Sequence, residues 1–117
     1  MILNLPELVT LNEYINAERR NKYIGAKIKK TMTDLVATEC YSQKILHLDK
    51  IKEIIFIWGH KDMRKDFDNV EFSQKWIRDG MVKAGVVDND GWKNFPPQTL
   101  HKHIVVKDNP GVQVIFS

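Results

Sequence analysis

The chain has 117 residues, 43% hydrophobic and 28% charged, which is the balance of one ordinary globular domain and too short for two. Its 18 Lys and Arg against 15 Asp and Glu leave a net charge of +3, leaning towards an anionic partner. No apolar run approaches the roughly 18 residues of a membrane span, the opening MILNLPELVTLNEY lacks a secretory pattern, and the lone Cys40 excludes an intrachain disulfide, so a cytoplasmic protein is expected.

In chain order, residues 1–5 read as a short strand stopped by Pro6. Thr10 or Asn12 can cap a helix running to about Glu39, with Gly25 as the place for a break. Ile24, Ile28, Met32, Leu35 and Val36, three or four apart, form its buried stripe. Residues 51–58, IKEIIFIW, suit a strand. Residues 69–84 read as a second helix, with Val70, Ile77, Met81 and Ala84 on one face and Gly85 as its stop. Residues 88–97 hold Asp-Asn-Asp-Gly and Pro-Pro, a loop. His101, His103 and Val105 alternate with Lys102, Ile104 and Val106 as in a strand. Asp108 to Gly111 is a turn and 112–116 a last strand, so the chain is expected to end in a hairpin. The order β-α-β-α-β-β indicates one α/β (α+β mixed) domain over 1–117, two main helices packed on a small mixed sheet.

Two basic groups stand out. Arg19, Arg20, Lys22, Lys27, Lys29 and Lys30 follow one another with no acid among them. A solvated helix face and a phosphate-binding surface explain them equally well. Lys61, Arg64 and Lys65 run into Asp66-Phe67-Asp68, and cations beside a carboxylate pair suit a site that meets both phosphate and metal. Asp88 and Asp90 follow the second helix. Two or three such carboxylates and a substrate phosphate would complete the oxygen shell of Mg²⁺.

The same acids have a structural reading. Asp68 and Glu71 have capping-box spacing, and Asp88-Asn89-Asp90-Gly91 makes a turn. One Asp68 oxygen can also cap while the other binds metal. His101 and His103 share a strand face and can ligate a metal, although exposed strand histidines are the simpler reading. His60 and Asp62 flank the basic run in a loop. Trp58 and Trp76 read as core or interface anchors, and Trp92 as a base-stacking candidate. No P-loop, GxGxxG, CxxC pair, HExxH or Ser-His-Asp arrangement occurs, so neither a nucleotide cofactor nor a zinc or acyl-transfer site is expected.

The run D66-F-D68-N69, then Lys75, D79-G80, A84-G85 and an acidic turn ending at Asp90, resembles the signature of the RusA-like Holliday-junction resolvases. That family shows D-x-D-N, a lysine one turn ahead of an Asp-Ala-Leu or similar, an Ala-Gly, and a pair of acids. The match is good over 66–90 and looser on either side. It implies a Mg²⁺-dependent endonuclease, with Mn²⁺ as substitute, that resolves branched DNA by paired nicks in recombination and repair. It also implies a homodimer, often phage- or prophage-encoded and then acting in the bacterial host cytoplasm. Asp66, Asp68 and Asp90 would be the catalytic, metal-binding carboxylates and Lys75 the catalytic lysine. Asn69 would be the asparagine beside the metal, with Asp88 an acid in reserve. Arg19, Arg20, Lys22, Lys27, Lys29, Lys30, Lys61, Arg64 and Lys65 would hold the DNA backbone. The rivals are a metal nuclease for flaps or RNA, and a non-catalytic nucleic-acid-binding protein of the same fold.

Two departures from the pattern have geometric consequences. The lysine follows the second aspartate by four residues in the shorter family pattern and by seven here, which along one continuous helix displaces Lys75 by about 4.5 Å. The acid pair becomes Asn89-Asp90. A straight helix over 69–84 is about 24 Å long, whereas residues 85–90 return only about 20 Å when extended. Asp90 therefore meets its own Asp68 only if the helix is shorter or bent, as at Gly80, or else it completes the site across a dimer.

Overall fold

Thr10 opens the first helix with a reciprocal cap. Its Oγ1 accepts from the Glu13 N–H at 3.4 Å, and Glu13 Oε1 accepts from the Thr10 N–H at 3.2 Å. In the computed structural model, which describes residues 1–117, this helix α1 (Leu11–Arg20) gives way at Asn21 to α2 (Lys22–Ser42). The break lies at Asn21 and not at Gly25. Asn21 is extended (φ −165°, ψ 122°), and its side chain caps α2 by accepting from the Tyr23 N–H at 2.8 Å. Gly25 serves a close approach instead, because a Cβ there would lie 2.4 Å from Glu18 Cγ.

The remaining elements are β1 (Ile2–Pro6), β2 (Ile54–His60), α3 (Phe67–Glu71), α4 (Gln74–Lys83), β3 (Leu100–Val105) and β4 (Gly111–Phe116). Pro6 ends β1 rather than lying beyond it, as an edge strand tolerates. The sheet order is β1-β4-β2-β3. β4 runs antiparallel to both β1 and β2, while β3 runs parallel to β2. The expected C-terminal hairpin is therefore absent. β2 lies between β3 and β4, and residues 106–110 cross over its end, where the Val106 N–H donates to the His60 carbonyl at 2.6 Å. Alternation specifies which face a residue takes, not which strand lies beside it.

One sheet face carries the core: Leu3, Leu5, Ile54, Phe56, Trp58, Val112, Val114 and Phe116 pack beneath Val36 and Cys40 of α2 and Trp76, Ile77 and Met81 of α4. Burial pushes the Cys40 thiol up to about 11 and keeps it an inert core group. The other face is left open by the helices. Across it runs a wholly apolar row, Ile2–Ile115–Ile55–Leu100, one residue from each strand. Ile2 and Leu100 at its ends are 50% and 58% exposed. The outer edge of β1 is occupied by Gln43, whose amide accepts from the Asn4 N–H at 2.9 Å and donates to the Asn4 carbonyl at 2.7 Å.

The helix expected over 69–84 is two helices, α3 and α4, parted at Phe72–Ser73. A remote carbonyl explains the break: Ser73 Oγ and Trp76 Nε1 both donate to the Val9 C=O, at 3.1 and 2.9 Å. Tyr14, Phe72 and Trp76 close around it, with ring centroids 5.2 to 5.9 Å apart. Gly80 is not a bend. A Cβ on it would stand 2.4 Å from Val36 Cβ, so its missing side chain lets α4 lie directly on α2.

Candidate active site

Asp66 is the N-cap residue of α3, extended (φ −70°, ψ 147°) with its side chain making no capping bond. Asp68 lies inside the first turn, exposed, its Oδ1 accepting from the Asn69 N–H at 3.0 Å. The helix starts two residues earlier than a box on Asp68 and Glu71 requires, so that box does not form. Asn69 Oδ1 instead accepts from the Asn12 N–H at 2.8 Å, fastening α3 to the start of α1. Glu71 turns to the sheet and binds His103.

The break at Phe72–Ser73 puts Asp68 and Lys75 on two separate helices. Lys75 is thus set by α4, not displaced along one long helix. α4 has ten residues, about 15 Å, a length that residues 84–90 can return along. On its flank Lys75 Nζ lies 3.5 Å from Asp79 Oδ2, and Arg78 lies over the Phe95 ring at 4.9 Å.

Asp90 comes back to this flank. Burial raises its carboxyl above the usual range; Arg78 and Lys75 pull it back down, and Asp79 pushes it further up. Asp90 also lines a small cavity with Arg78, Trp92 and Phe95. Trp92 is 83% exposed there, whereas Trp58 and Trp76 are core residues. Asp88, its near neighbour in sequence, faces elsewhere and lies 3.3 Å from His47 Nε2.

The histidines form ordered chains. His60, expected in a loop, is the buried last residue of β2. Its Nε2 is 2.7 Å from His103 Nδ1, and His103 Nε2 is 2.6 Å from Glu71 Oε2. With Glu71 ionised the network assigns the protons: His60 donates to His103, and His103 donates to Glu71. Trp58 Nε1 donates to His101 Nδ1 at 2.9 Å, which leaves the other His101 nitrogen 3.3 Å from Thr99 Oγ1. Burial lowers the pKa of both His60 and His101. His101 and His103 are therefore half-buried network members, not exposed strand residues. Their shared face was legible in the alternation; their partners on β2 and α3 were not.

Arg19, Arg20, Lys22, Lys27, Lys29 and Lys30 are all exposed around the α1–α2 elbow, and only Lys30 has an acidic partner, Asp34 at 3.5 Å. Lys61, Arg64 and Lys65 are exposed in the loop after β2, where Arg64 pairs with Asp62 at 3.7 Å and Lys65 with Glu7 at 3.5 Å.

Asp66, Asp68 and Asp90 do not draw together into a three-group metal cage. Their chemistry nonetheless fits Mg²⁺, which normally takes one or two carboxylates and fills its shell with water and substrate phosphate. No helix is long and apolar enough to cross a membrane. Comparison with protein-family models and with curated proteins returns no match.

Proposed function

We propose that this chain is a metal-dependent endodeoxyribonuclease of the RusA-like kind, cutting branched DNA of the Holliday-junction class. The observation that carries the reading is that Asp79 holds Lys75 at 3.5 Å on one flank of α4 while Asp90 returns to line a cavity with Arg78 of the same helix. These are the landmarks that the sequence signature orders, and an acid eleven residues beyond Asp79 has no helical reason to return there. Asp66 and Asp68, at the start of α3, would hold Mg²⁺, or Mn²⁺ in its place, since that ion needs only one or two carboxylates. Asp90, which forms no three-group cluster with them, is the third acid of the signature. Bound there, the ion supplies Lewis-acid polarisation of the phosphodiester and lowers the pKa of water.

The chain's own side chains do the rest. Lys75, oriented by Asp79, places a cation for the scissile phosphate. The exposed cations from Arg19 to Lys30, with Lys61, Arg64 and Lys65, grip the backbone, so binding weakens steeply as salt rises. A two-fold dimer suits a four-way junction because two related sites nick strands of like polarity. The open Ile2–Ile115–Ile55–Leu100 row is the surface for that second copy. The protein would act in the cytoplasm.

A second reading, a binding protein of this fold without cleavage, draws on the separation of the three aspartates. One experiment decides between them: cleavage of a synthetic four-way junction in Mg²⁺ or Mn²⁺ by wild type, Asp68→Asn and Asp90→Asn. Paired symmetric nicks, lost in both variants with binding retained, support the resolvase. Binding without nicking in wild type supports the second reading, and cleavage of flaps or RNA in preference to junctions would redirect the substrate.

A further inference from the structure

The residue between the two motif aspartates faces outward. Phe67 is 62% exposed although aromatic, and one face of its ring lies on the His103 imidazole, with centroids 4.0 Å apart and planes 19° apart. That imidazole is itself immobilised, since His60 and Glu71 occupy its two nitrogens. The Phe67 ring is thus a rigidly backed aromatic plate with its other face turned to solvent. Beside it Met63 is 90% exposed, and Ile104 and Val105 are 39% and 47% exposed at the unpaired edge of β3. Together they border a cavity of about 260 Å³, with His60, Asp62 and Lys65 on its rim.

Soluble domains rarely leave an aromatic, a methionine and two aliphatics together in water without use. Packing does not require it, because Phe67 is absent from the core and Met63 touches little. The cavity lies below the roughly 300–1,000 Å³ of sites for drug-sized ligands and suits a single flat heterocycle. Lys65 borders the cavity itself, and Lys61 and Arg64 lie exposed in the loop that also carries Met63. Arg64 and Lys65 are paired with Asp62 and Glu7 at 3.7 and 3.5 Å, and Lys61 has no acidic partner. An apolar plate with adjoining cations is how single-stranded nucleic acid is held: bases stack and phosphates are neutralised.

We propose that Phe67 and Met63 form a pocket for one unpaired nucleobase, which stacks on the outer face of Phe67 while its phosphates meet the Lys61–Lys65 loop. The proposal rests on the nucleic-acid reading above and adds a site to it. The pocket would select DNA with an unstacked base, as at a branch point, over continuous duplex. It would also hold that strand next to Asp66 and Asp68.

The test uses the full chain in an Asp68→Asn background, in EDTA, so that no strand is cut. Binding is followed on a four-way junction carrying 2-aminopurine at the branch and on a duplex of equal length. Phe67→Leu keeps an apolar side chain on His103 but removes the plate, and Met63→Ala alters a residue that is nearly free in solvent. Phe67→Leu is expected to weaken junction binding by roughly fivefold or more, the lower end for one base–aromatic stack, and Met63→Ala to weaken it in the same direction by less. Duplex binding should stay within about twofold, and the 2-aminopurine signal should lose its protein-induced change. Equal loss on both substrates, or no loss on the junction, overturns the pocket while leaving the nuclease reading to the cleavage assay. If neither DNA is bound by the background protein, both fall. Matching urea midpoints for the variants exclude misfolding as the cause.

Discussion

His103 Nε2 donates to Glu71 Oε2 at 2.6 Å, and this one bond ties the turn of α3 that follows Asp68 to the edge strand β3. Both side chains are mostly out of solvent, at 10% and 28% exposure. Removing the acceptor should leave the half-buried imidazole short of a partner and loosen α3. Glu71→Ala is expected to lose about 1–3 kcal/mol, read as a lower urea midpoint at unchanged m-value. An unmoved midpoint would mean the contact does not hold in solution.

Stability should fall on mild acidification. Burial holds His60 and His101 below 6.5 in the fold, with His103 and Lys65 adding to the effect at His60 and His103 and Arg78 at His101. The unfolded chain therefore takes up these protons first. Stability is full above 6.5 and declines as pH drops from there towards the lowered folded values. Denaturation midpoints between pH 7.5 and 5 should trace that decline, and His60→Gln should flatten it.

Gly80 is held by what lies opposite. Ala is the better helix former by about 1 kcal/mol, yet its methyl would press into Val36, with Cβ atoms 2.4 Å apart. Overpacking of this kind costs about 1–3 kcal/mol, so Gly80→Ala should destabilise despite its propensity. Pairing it with Val36→Ala, which keeps the Val36 Cβ but removes the Cγ1 that would lie 2.5 Å away, should cost less than the sum of the two single changes in a double-mutant cycle.

At the candidate site, Lys75→Met should lower junction cleavage about a hundredfold, the scale for removing one preorganised donor to a reacting oxyanion, while leaving binding near wild type. Asp88→Asn should behave as wild type, because Asp88 faces His47 and not Lys75. Single-turnover rates on a saturating junction separate these outcomes; loss of activity in Asp88→Asn would move the third carboxylate from 90 to 88.

The open sheet face makes its own prediction. Ile2→Lys with Leu100→Lys places charge at both ends of the apolar row, and the change should convert a sedimenting dimer to monomer without altering the far-ultraviolet circular dichroism. A protein that is monomeric before the change would refute the face as the seat of a second copy.

Much of this protein is set by its local sequence. Isoleucine and aromatic content marks 51–58 as a strand, alternation marks 101–106, and a turn at 108–111 sets off 112–116. Thr10 with the stripe from Ile24 to Val36 marks the first helical stretch, although Ile24 proves 41% exposed. Asp66 to Asp90 stands out as the candidate segment because the spacings of its acids and lysine can be read along the chain. Such signals span a few residues, since helix and strand periods are properties of the nearby backbone. What tertiary structure alone decided involves groups far apart in sequence. The second helix breaks at Phe72–Ser73 because Ser73 and Trp76 bind a carbonyl 64 and 67 residues away. β3 takes β2 as its neighbour in place of β4, a choice of pairing that a period of two does not encode. The spacing from Gly85 favours Asp90 over Asp88, but only the fold of the 84–90 loop sets Asp90 in a cavity with Arg78 and Asp88 beside His47.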